Sequence, residues 1–159
     1  MYNQKVLSLG ISSLHSLLFI AGNIALPHLF HLVPGGGIAF LPIYWFTLAG
    51  VMRYGLLTGL SAAVMSPLLG YLLFGAPASV MLPDMLLKGI LLCLTATATV
   101  RLLGIGVPAA LAAVASAWLL AGIAEWPFLG ASPAFQDFAS GLPGLLLMSV
   151  VAPFIARRV

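Results

Sequence analysis

The sequence predicts an all-α membrane protein, a bundle of about six transmembrane helices with both termini in the cytoplasm, and three observations predict it. Hydrophobic residues make up 62% of the chain and charged residues 6%, with a mean hydropathy of +1.18. A water-soluble domain of this size cannot cover its surface with so little polar material. The apolar residues fall in long runs separated by glycine- and proline-rich breaks. At about 20 residues per span, a chain of 159 residues holds at most about six crossings in one domain, residues 1–159, with no room for a soluble part. The net charge of +3 is too small and too dispersed for nucleic acid, so the position of each charge matters more than the sum. Cys93 is the single cysteine and lies inside an apolar run, which excludes an internal disulfide.

The first helix covers about residues 6–31, with Pro27 loosening its end. The apolar run beginning after Lys5 continues past Ala21 without a small-residue cleavage site, so it reads as a retained span rather than a signal peptide. Ser8, Ser12 and Ser16 stand four apart and make a small polar stripe, suited to docking another membrane protein or to internal packing. Residues 33–37, Val-Pro-Gly-Gly-Gly, read as a loop, because glycine adds backbone entropy and proline removes a donor. A short second helix follows over about 38–53, with Pro42 in its first turn. The third covers about 55–74, and its Gly55, Gly59 and Ala63 share a face able to approach another backbone closely. A loop over 75–84 leads to a fourth helix from Pro83 to near Arg101. The fifth spans about 107–127, where Ala109, Ala113, Ala117 and Ala121 repeat every four residues and lead to Glu125. The sixth covers about 140–155, before Arg157 and Arg158.

With six spans, Lys5, Arg53, Arg101, Arg157 and Arg158 all fall at one end, which the retention of basic residues makes the cytoplasmic one. Asp84, Lys88, Glu125 and Asp137 fall at the other end, with His28, His31, Trp126 and Gln136.

Asp84 and Lys88 lie one helical turn apart, acid first, so they share a face and can pair. Lys88 sits about 7 Å below the start of its helix at 1.5 Å per residue, a depth at which an ionisable group faces the protein interior or a wet cavity. Two roles are open for the pair: contact with a ligand, or a structural ion pair that fixes helix packing. Glu125 is the one acid in its helix, Trp126 beside it suits an interface anchor, and Tyr44 lies at the outer end of the second helix. His28 and His31 share a face but have no further Cys or His near them, so no metal site is expected, and His15 reads as a hydrogen-bonded interior residue. No phosphate-binding glycine-lysine loop, zinc-protease helix or nucleophile elbow is present, and no cofactor is implied.

The succession LPHLFHLVPGGGIAFLPIYWFTLAGVMRYGLLTGLSAAVMSPLLGYLLFGAP and then MLPDMLLKGI, within about residues 25–92, resembles the substrate-binding S components of energy-coupling factor transporters. The likeness rests on the glycine loop before Phe40-Leu41-Pro42, the Ala49-Gly50 to Tyr54-Gly55 turn, Gly59, and Ser66-Pro67 before Gly75-Ala76-Pro77. It implies a multi-pass subunit of a bacterial or archaeal cell membrane that captures a vitamin or related micronutrient at its outer face. The loops around residues 28–37, 75–88 and 125–137 would hold the substrate, with Asp84, Lys88, His28, His31, Glu125, Trp126 and Tyr44 as candidate contacts. It also implies association, within the lipid bilayer, with a transmembrane T component and two cytoplasmic ATPases, which hydrolyse the ATP while this chain does no catalysis. Ser8, Ser12, Ser16, Gly55 and Gly59 are the candidate docking residues, although the family commonly has alanines where the serines stand. The alternative from a different class is a small membrane enzyme, for instance of lipid or isoprenoid synthesis, with Glu125 or His31 in its chemistry.

Overall fold

The computed structural model describes residues 2–158 apart from His31 and Val33, with side chains described from Leu14 onward except at 31, 33, 38, 129 and 131–135. Seven α-helices and no strand occur among the described residues: α1 (Tyr2–Phe30), α2 (Gly36–Phe40), α3 (Trp45–Tyr54), α4 (Leu56–Phe74), α5 (Leu82–Leu103), α6 (Val107–Leu129) and α7 (Ala131–Arg158). Leu56–Phe74, Ser79–Leu103, Val107–Phe128 and Gln136–Arg158 are each long and apolar enough to cross a membrane. Many large apolar side chains on these segments, among them Leu57, Leu72, Leu119 and Phe154, point outward and exposed, as lipid contact requires. The chain is an all-α membrane bundle. With α2 and α3 counted together, it has six helical members among the described residues.

The structure differs from the sequence reading at two junctions. The second helix is not continuous over 38–53. Gly36 and Gly37, expected in the loop, are helical in α2, and the chain breaks at Leu41, whose φ of 48° and ψ of 46° are left-handed. The ring of Pro42 disfavours a right-handed helical residue before it, which suits a break at Leu41. A single 3-10 turn, Pro42–Tyr44, restarts the chain into α3. The carbonyl of Phe40 loses its helical partner there and instead accepts a hydrogen bond from the Trp45 indole at 2.9 Å. The second difference is at the last helix, which begins at Ala131 rather than near 140. Gly130, at a φ of 83°, ends α6 and turns the chain, and Pro133 in the first turn of α7 has no helical acceptor to lose. Residues 125–137 are therefore two helix ends around one glycine.

Short α3 is the hub. It packs against α1, α4, α5 and α7, and its residues from Thr47 to Met52 are all buried, as expected of a helix apolar on every side. Asn23 of α1 fastens it: its amide donates to Thr47 Oγ1 at 2.8 Å and its carbonyl accepts from the Phe46 N–H at 3.1 Å. That N–H belongs to the first turn of α3 and has no partner within the helix. On the other side, the alanine stripe of α6 is buried along its length at Ala109, Ala113, Ala117 and Ala121. The Thr95 hydroxyl of α5 lies 2.9 Å from the Ala113 carbonyl, a separation that only small side chains permit. At the basic end, Arg157 of α7 donates to the Ile105 carbonyl at 3.0 Å.

Gly144 of α7 lies against the backbone where α2 breaks. A Cβ there would meet the Phe40 carbonyl and come within 2.7 Å of the Ala39 oxygen, neither of which can rotate away. Gly144→Ala is therefore expected to destabilise the protein by about 1–3 kcal/mol through overpacking. Gly50→Ala, whose Cβ would make ordinary contacts at 3.5 Å with Thr58 and 3.6 Å with Phe19, should be close to neutral. Thermal unfolding of both variants in mild detergent checks the contrast.

Candidate functional site

The four helices α4 to α7 alternate in direction, which gathers Asp84, Lys88, Glu125 and Asp137 at one end of the bundle and Arg53, Arg101, Arg157 and Arg158 at the other. Asp84 is in the first turn of α5, where the N-terminal dipole favours a carboxylate. Lys88 follows one turn later. Glu125 continues the buried alanine stripe of α6, and Asp137 comes from the second turn of α7.

These four side chains form one cluster. The Lys88 ammonium lies 2.5 Å from Asp84 Oδ1, 2.9 Å from Asp137 Oδ2 and 3.3 Å from Glu125 Oε1. The chain contains three acidic residues in all, and each of them meets the same lysine. An ammonium has three N–H donors, so one side chain addresses three helices. Burial divides the roles. The Lys88 side chain is 6% exposed and that of Glu125 10%, whereas Asp84 and Asp137 are 39% and 35% exposed. Lysine and glutamate form the covered back of the cluster and the aspartates its open front.

A cavity of about 540 Å³ adjoins that front, between α1, the α2–α3 break, α4, α5 and α7. Asp84, Lys88 and Asp137 line one part of it. Tyr44 lines another, with its hydroxyl donating to the Met85 carbonyl at 3.2 Å and its ring edge-on to Trp118 at 5.4 Å. His28 and Phe74 bring aromatic surface to the wall, packed edge to face at 4.9 Å. Asn23 and Ser66 contribute polar atoms from α1 and α4. Gly70 lets the loop after α4 fold back onto the helix, since a Cβ there would meet the Ala76 oxygen at 2.8 Å. A volume in this range is that of a small-molecule site, and its walls are mainly apolar with a few converging polar groups.

Among the residues singled out from sequence, Asp84, Lys88, Tyr44 and His28 all line this cavity. Glu125 lies behind it, joined through Lys88, and faces a second depression between α5 and α6 that it shares with Asp84. Trp126 is 62% exposed and lines neither space. His31 lies outside the described residues, as do the side chains of Ser8 and Ser12. Ser16 is half-buried, and Gly59 is closed off inside the chain by Val51 and Cys93, so its close approach serves the α3–α4 contact. Gly55 forms the α3–α4 turn at a φ of 90°. His15 stacks on Tyr54 at 4.1 Å, at the end away from the cavity.

Three cavity residues with polar side chains, Asn23, Ser66 and Asp137, are not among the site residues singled out from sequence. Asn23 and Ser66 are polar residues set among apolar neighbours, a signal shared with several others that serve packing. Asp137 was placed at the correct end but in a supposed loop. The available signal was the charge count, because Lys88 is the one lysine or arginine at the end where all three acids fall and is their common counter-charge.

Comparison with protein-family models, with curated proteins and with solved structures yields no match. What fold and site together define is a helical membrane protein with a mainly apolar, ligand-sized cavity, bearing a few charged groups, at one end of its bundle.

Lys88→Met removes the counter-ion of three carboxylates. Uncompensated buried charge costs about 3–5 kcal/mol, and the half-open position of the aspartates places the expected loss toward the lower figure. Lys88→Arg, which keeps the charge, should retain most of the stability. Unfolding temperatures of the two variants in the same detergent decide the matter, and equal loss in both would show that packing rather than charge governs the position.

Proposed function

We propose that this chain is the substrate-binding membrane subunit of an energy-coupling factor importer, holding a water-soluble micronutrient in the cavity beside Asp84 and Lys88. The observation that carries this reading is the cavity itself: a space of about 540 Å³ with charged walls, set into one end of an otherwise apolar bundle. Ionisable groups are costly at membrane depth and mark substrate pathways when they face a cavity. The charge sorting fits the same account. Basic residues at the far end favour a cytoplasmic position for that end, with the cavity then on the outer side, where a nutrient arrives. The resemblance over residues 25–92 supports the assignment of partners, a transmembrane T component and two ATPases, with this chain acting in capture and leaving ATP hydrolysis to them.

Purification of the tagged protein from its native membrane in mild detergent tests the reading directly. The expected result is a complex with one further membrane protein and two ATPases, from which a small polar molecule is released on denaturation. Asp84→Asn should leave the polypeptides associated and lower the amount of that molecule retained. A chain that emerges alone after crosslinking in the membrane, and carries no small molecule, excludes the importer.

A further inference from the structure

The cluster at the cavity is unequal in acids and bases, and the imbalance specifies what the cavity accepts. Three carboxyl groups share one ammonium, so acidic groups outnumber the basic one. We propose that the ligand is an organic cation, a ring compound bearing a protonated amine or quaternary ammonium group, held with its charge between Asp84 and Asp137. This deepens the capture role proposed above and rests on the cavity being its ligand site.

Four observations converge on it. First, the excess of acidic groups is on the cavity side. Asp84 and Asp137 line the space and are each more than a third exposed, while the balancing ammonium of Lys88 is 6% exposed. Lys88 meets Asp84 through Oδ1 and Asp137 through Oδ2, and each carboxylate has a second oxygen with acceptor capacity for an incoming donor or charge. An anion here would sit beside two partly exposed carboxylates and a lysine that is almost wholly covered. Second, Tyr44 and Phe74 line the same space, and the faces of such rings attract cations. Third, Ser66 of α4 lines the cavity at 1% exposure with a buried hydroxyl that has no partner among the described residues. Thr58 Oγ1 and Trp118 Nε1 are also unpartnered, but those residues do not line the cavity. A buried hydroxyl beside an open space is satisfied by a polar atom of whatever fills that space, here a ring heteroatom or substituent. Fourth, the position among the three carboxylates that a metal ion would take is already held by the Lys88 ammonium, which repels a second compact cation from that centre. The rest of the cavity, whose lining includes Tyr44 and Phe74, suits a diffuse charge on a carbon framework.

The test uses the full chain in mild detergent, with benzyltrimethylammonium as the cationic probe and phenylacetate as an anion of related shape, each titrated calorimetrically. The expected result is measurable binding of the cation, with the anion weaker by at least about tenfold. Asp137→Asn should weaken the cation by a similar factor. The proposal is overturned if phenylacetate binds as well or better, if the cation does not bind, or if Asp137→Asn leaves its affinity unchanged in a folded variant. The comparison of the two probes on the unaltered protein stands even if that variant fails to fold. It is also separable from the importer reading: loss of charge selectivity leaves the co-purifying partners untouched, and their absence leaves the selectivity untouched.

Discussion

The Lys88 ammonium is the constraint around which this bundle is arranged. A charged amine within a membrane-spanning helix is tolerated only where counter-charges or water reach it. Here the counter-charges come from three different helices, at 2.5 Å from α5, 3.3 Å from α6 and 2.9 Å from α7. Satisfying them fixes the relative heights of those helices at this end. Depth on α6 is then transmitted along the alanine stripe, whose buried methyl groups let α5 and α6 touch closely enough for Thr95 to reach the Ala113 carbonyl. In lipid such contacts and hydrogen bonds supply what apolar burial supplies in water.

The other half of the bundle is held by different means, and the difference makes the cavity. Helices α1, α3 and α4 are joined by Asn23, by the close approach at Gly59 and by aromatic packing of Phe19 against Phe46 and Tyr54, none of which carries a charge. Where this half meets the charged half, the chain does not run straight. It breaks at Leu41, in a left-handed conformation that costs a residue with a side chain about 1–2 kcal/mol. Gly141 and Gly144 of α7 accept the Leu41 side chain and the Phe40 backbone, so the break is supported from the opposite helix. Leu41 itself lines the cavity. A continuous α2–α3 helix would place different side chains there; the strained turn is what carries the chain around the space.

Much of this was legible in the sequence because membrane helices are constrained so strongly. Apolar runs of fixed length, proline and glycine at their ends, and basic residues at alternate ends located the long helices, apart from the start of α7, and sorted the charges to two ends. The pairing of Asp84 with Lys88 followed from spacing on one helix. What escaped depends on three-dimensional neighbours. Pro42 is compatible both with the first turn of one helix and with a break before the next, and the choice rests on Trp45 being able to take up the Phe40 carbonyl and on Gly144 making room. Residues 131–139 lack a strong apolar run and read as a loop, yet they are helical because Gly130 turns the chain sharply and Asp137 finds a cation. Ser66 looks like any other small residue facing a helix; its significance lies in what is absent beside it.

The contrast between satisfied and unsatisfied groups also bears on why the cavity is open. At its helix junctions the protein leaves little to chance: Asn23 takes the Phe46 N–H and Trp45 the Phe40 carbonyl, both at ordinary hydrogen-bond distances. In the same bundle a space large enough for several side chains is bordered by two half-open carboxylates and an unpartnered hydroxyl. Filling it with leucine would add packing contacts, but leave those groups in an apolar environment without water or a counter-charge. Leaving it open lets water serve them when empty. A cation on a ring framework serves them better, because the carboxylates have lone pairs beyond those facing Lys88 and need not release the lysine to accept it. The ion cluster that holds α5, α6 and α7 together can thus remain intact while the cavity fills, so one lysine serves both the stability of the bundle and the charge preference of its site.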